Sequence, residues 1–98
     1  MDGVIEAVHY QDGKLAWVRA YERRGPTWSD WVLLDRQILV ERIQAGRRFV
    51  SGDRVEFEAS NFETGRRILL VEKGRNAYLV TENISNPDRD QLDGVPLV

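Results

Sequence analysis

Apolar and polar positions alternate with a period of two along most of the chain, as expected of strands with one buried face. Residues 4–10 are rich in Val, Ile and Tyr and predict a first strand. Asp12-Gly13 follows, and Gly accepts the positive φ of a tight hairpin turn, so residues 15–23 are expected to return antiparallel. The even positions of that second strand are Ala16, Val18, Ala20 and Glu22, a small and mostly apolar face suited to the core. Its odd positions, Leu15, Trp17, Arg19, Tyr21 and Arg23, mix aromatic and basic groups.

A loop with Gly25-Pro26 spans residues 24–30. Residues 31–34 have no polar face, which predicts a short strand covered on both sides. Asp35 is placed to cap a helix over residues 36–45. Leu34 and Leu39 are placed as its hydrophobic staple, and Leu39 and Ile43 lie four apart on one face. Gly46 suits the left-handed residue that ends many helices.

Further strands are expected at residues 47–50, 54–59, 66–72 and 77–82. Ser51-Gly52-Asp53 and Lys73-Gly74-Arg75-Asn76 read as turns, and residues 61–65 as a loop. Within 54–59, Val55, Phe57 and Ala59 alternate with Arg54, Glu56 and Glu58. Ile68 to Val71 form a continuous apolar run, the pattern of a central strand. From Ser85 the periodicity stops, so residues 85–98 are expected to form a flexible acidic tail behind a single domain at 1–84.

The fold expected is mainly β: a small antiparallel barrel-like or curved-sheet domain with one short α-helix. The helix after the third strand gives it an OB/SH3-like appearance, an analogy of topology that carries no function. The expected core contains Val18, Leu33, Leu39, Ile43, Val55, Phe57, Leu70 and Leu79.

Composition narrows the chemistry. The 98 residues include no cysteine, which removes disulfides and thiolate sites and points to a reducing, cytoplasmic setting. Met1-Asp2-Gly3-Val4 is not the start of a signal peptide, and no apolar run approaches the ~20 residues of a membrane-spanning helix. The net charge of −2 is uneven: residues 47–75 carry seven basic and five acidic groups, and residues 76–98 one basic and four acidic.

Catalytic motifs are absent from the sequence. His9 is the single histidine, no G-x-S-x-G elbow occurs, and neither G-x-G-x-x-G nor a P-loop is present. No metal site or cofactor is expected. Asp88, Asp90 and Asp93 have a spacing faintly like a calcium loop but lack its Gly and its bidentate Glu. A chain of this size also has little room for a deep cleft.

What remains is a binding surface. Trp17, Arg19, Tyr21 and Arg23 should share one face of one strand, and Trp28 in the following loop extends it. Aromatic and Arg side chains are enriched at the centres of protein interfaces. They also stack on bases and pair with phosphates. The sequence therefore supports a non-catalytic protein-interaction or accessory module, with a single-stranded nucleic-acid binder as the alternative. Negative net charge counts against the second.

Overall fold

Strands β1 (Gly3–Gln11) and β2 (Lys14–Arg24) form the first hairpin. Asp12 and Gly13 make its turn with φ of 53° and 78°, the left-handed pair that matches the twist of the flanking strands. β3 (Thr27–Trp28) and β4 (Val32–Asp35) both pair with β2, and helix α1 (Arg36–Gln44) follows. β5 (Phe49–Arg54), β6 (Phe62–Lys73) and β7 (Asn76–Thr81) complete the sheet. The structure is a computed structural model and describes residues 1–55 and 61–98.

The strands run in the order β3-β2-β1-β5-β6-β7, with β4 also on β2, in a curled half-barrel. All described pairs between these strands are antiparallel except β1 with β5. The helix begins where expected: the Asp35 carboxylate accepts the Ile38 N–H at 2.9 Å. Leu39 is fully buried, and Ile38 and Ile43 pack against the core from the same helix. Arg42 reaches back to the buried Glu22 of β2, Nε to Oε1 at 3.1 Å, so the helix lies over the even face of that strand. No helix among the described residues is long and apolar enough to cross a membrane.

Val18, Leu39 and Leu79 form the core as expected, with Ile43 and Leu70 packed against it. Leu33 does not: it is 53% exposed, and Leu34 is buried in its place. The pairing decides this. Val18 stands opposite Leu34 and Arg19 opposite Leu33, so Leu34 follows Val18 inward and Leu33 follows Arg19 outward. Residues 31–34 are therefore covered on one side. Phe57 lies outside the described residues, as does most of the strand expected at 54–59.

Two bulges rearrange the first hairpin. Glu6 is the extra residue on β1 and Ala16 the extra residue on β2. The second shifts Leu15 off the odd face and into the core beside Val18. Two segments read as irregular are strand: Ser51-Gly52-Asp53 lies within β5, and β6 starts at Phe62. Gly52 sits at a shift in the β5–β6 register, where a Cβ would collide with the Glu63 carbonyl.

The segment expected to be a mobile tail is docked. Leu92 and Val95 join the core, and Pro87 and Asp90 are buried. Gln91 pairs with β7, and residues 96–98 pair with β1: Val8 N–H donates to the Pro96 carbonyl and Val98 N–H to the Val8 carbonyl. The stretch contains too few apolar residues to order itself locally. It is held by two strand edges that other parts of the chain supply and by its own buried Asp90, whose carboxylate takes donors from Leu15, Arg36 and Leu79.

Candidate functional site

The odd face of β2 is divided in two by its neighbours. At one end Trp17 lies opposite His9 of β1, and the rings stack with centroids 5.0 Å apart and planes 17° from parallel. His9 Nδ1 is 2.7 Å from the Val98 carbonyl oxygen, which fixes the imidazole beneath the indole. Trp17 is thus half-buried by a neighbour on its own face. Arg19 follows, its guanidinium 5.7 Å from the centre of the Trp31 ring. Its Nε lies 2.6 Å from Glu6 Oε1, a close charge pair in which the N–H is not aimed along a hydrogen bond. Trp31 is 52% exposed, and with Leu33 it forms the open part of this surface.

At the other end the expected surface is covered. Tyr21 is only 7% exposed. Arg54 lies over its ring at 4.3 Å, and Phe62 packs beside it at 5.4 Å. Trp28 packs on the same Phe62, with centroids 4.6 Å apart. Arg54 is itself fixed, donating to the Ser29 carbonyl at 2.7 Å. Arg23 is exposed, but its Nε donates to the Gly25 carbonyl and its own carbonyl accepts from Arg47. Trp17, Arg19, Tyr21, Arg23 and Trp28 therefore do not form one exposed centre. Trp17 and Arg19 face the open surface, Tyr21 and Trp28 pack under the β5–β6 strands, and Arg23 sits at the strand end.

Glu6 ties the two halves together. Its Oε2 accepts the Tyr21 hydroxyl at 3.1 Å, while Oε1 faces Arg19. Burial pushes the Glu6 carboxyl above its ordinary value, and a hydrogen bond with Asp53 acts in the same direction; the Tyr21 hydroxyl and the Arg19 charge oppose them. The Tyr21 hydroxyl is pushed up to about 12, by burial first and then by Glu6.

The remaining candidates take structural roles. No three His, Cys, Asp or Glu side chains among the described residues are grouped to hold a metal ion. Asp90 is occupied by Arg36 and two backbone N–H groups, and Asp93 by Arg66 and Asn83. The contributors that sequence reasoning missed are His9, Trp31, Leu33, Arg54 and Phe62. Trp31 and Leu33 carried one signal, their i, i+2 spacing next to an Arg-bearing strand. Arg54 and Phe62 carried none, because their place over Tyr21 follows from long-range pairing.

Compared with family models, curated proteins and solved structures, the chain has no significant match.

Proposed function

We propose that the protein is a non-catalytic interaction module that holds an apolar segment of a partner protein on the β2–β4 surface. The observation that carries this reading is the pair Trp31, just before β4, and Leu33 within it, each about half exposed, where β4 among the described residues pairs with β2 alone. Apolar area left in water costs about 25 cal/mol per Å². The other side of β4 also offers backbone groups to an added strand. Arg19 supplies a directional donor at the centre, and its charge is largely balanced by Glu6. A partner of low charge fits such a patch.

The nucleic-acid reading has less support. Arg19, Arg36, Arg42, Arg54 and Arg66 are each paired with a carboxylate of the same chain. Of these, Arg19 lies on the β2–β4 surface, and its charge is compensated there by Glu6, whereas phosphate binding needs uncompensated charge.

The test is a comparison of probes. Partner capture from native extract should survive raised salt and be lost in Trp31→Ser/Leu33→Ser. Oligothymidylate should bind weakly or not at all. Tight oligonucleotide binding that falls steeply with salt and depends on Trp17 and Arg19 would replace this reading with the nucleic-acid one. Capture unchanged in the Trp31/Leu33 double variant would remove the surface from consideration.

A further inference from the structure

A second site, which uses none of the β2–β4 surface residues, lies where the two hairpin turns approach the C-terminal segment. A cleft of about 560 Å³ opens there, within the range typical of small-ligand sites. Arg36 lies in its wall. The guanidinium is immobilised: Nε and Nη2 donate to the two Asp90 oxygens, and Nη2 also donates to the Ala77 carbonyl at 2.7 Å. Nη1 makes no hydrogen bond among the described residues, and the side chain is 31% exposed. A planar donor anchored through Nε and Nη2, with Nη1 still unused, is already in place for an oxyanion.

Three further cations line the same cleft from three separate segments: Lys14 after the first turn, Arg75 in the second, and Arg89 before the docked strand. All three are exposed, and none is in an ion pair among the described residues. This sets them apart from Arg36 and from the four paired arginines elsewhere. Asp12 and Asp88 also line the cleft, so three unpaired cations face two carboxylates. Asp90 adds no repulsion toward an anion, because its charge is matched by Arg36 and its oxygens already accept four hydrogen bonds. Tyr78 lines the cleft as well.

We propose that this cleft binds a small organic phosphate. The phosphate group takes donors from Lys14, Arg75, Arg89 and Nη1 of Arg36, and the organic part lies against Tyr78. A tetrahedral dianion accepts from several directions at once, which suits donors arriving from three segments. A single carboxylate would leave most of them unused.

The experiment is an amide-resolved NMR titration of the full chain with inorganic phosphate, phenyl phosphate and sodium sulfate. Phenyl phosphate should bind in the low millimolar range or tighter, with the largest shifts at residues 12–14, 75–78 and 88–90. Arg75→Gln/Arg89→Gln should weaken it at least tenfold. These side chains are exposed and unpaired, so the variant keeps its fold, which circular dichroism checks. Tyr78→Leu should bring phenyl phosphate down to the affinity of inorganic phosphate. Three outcomes overturn the proposal: no shifts in the cleft, equal response to sulfate and phenyl phosphate, or affinity unchanged in the double Arg variant.

Discussion

The Asp90 carboxylate takes two hydrogen bonds from Arg36, Nε to Oδ2 at 2.8 Å and Nη2 to Oδ1 at 3.0 Å. The same two oxygens accept the backbone N–H of Leu15 on β2 and of Leu79 on β7, each at 2.9 Å. One buried side chain therefore joins two strands that are not neighbours in the sheet, and the start of the helix to both.

Replacing Asp90 by Ala should destabilise the fold by at least about 3 kcal/mol, since it unpairs Arg36 and leaves two backbone donors without their partner. Urea unfolding monitored by tryptophan fluorescence measures this. The effect should depend on pH. Burial pushes the Asp90 carboxyl up, but Arg36 and the two N–H groups outweigh it and hold the carboxyl below its ordinary value. The stabilisation is thus complete above the ordinary carboxylate range and is lost as pH falls through the lowered value. In strong acid the variant and the wild type should converge.

Glu6 should act with the opposite sign. Its carboxyl is held above the ordinary 4.5, so folding favours the protonated form. Its contribution is full below that value and is lost as pH rises through the raised one. Glu6→Gln mimics the protonated state. Its stability relative to wild type should therefore improve between about pH 4 and pH 7, read as the shift in urea midpoint. A difference that stays flat with pH would show that Glu6 is not perturbed.

Leu33 and Leu34 are adjacent and chemically identical, yet their substitutions should differ. Leu34→Ala empties a core site and should cost about 2–5 kcal/mol. Leu33→Ser changes an exposed position and should stay within about 0.5 kcal/mol. Thermal denaturation of the two variants compares them directly, and equal losses would mean that β4 is covered on both sides.

Deleting residues 86–98 should lower the unfolding temperature substantially. The deletion removes Leu92 and Val95, each worth about 1.5–3 kcal/mol of burial, along with Asp90. Single Leu92→Ala should show part of the same loss. A truncated chain as stable as the full one would restore the mobile-tail reading of this segment.

Local pattern alone determined much of this protein. The Asp12-Gly13 turn, the inward even face at Val18 and Ala20, and the Asp35 cap each depend on residues within a few positions of one another, and each stands where the sequence puts it. Tertiary structure decided the rest. Whether Leu33 or Leu34 faces inward depends on register against β2, and a slip of one residue exchanges them. Tyr21 is buried because Arg54 and Phe62 come to lie over it. Residues 85–98 look disordered because their stabilising partners, Arg36, Leu15, Leu79 and Val8, lie far away in sequence. Alternation records which side of a strand is apolar, but it carries no information about which distant group will satisfy a polar one.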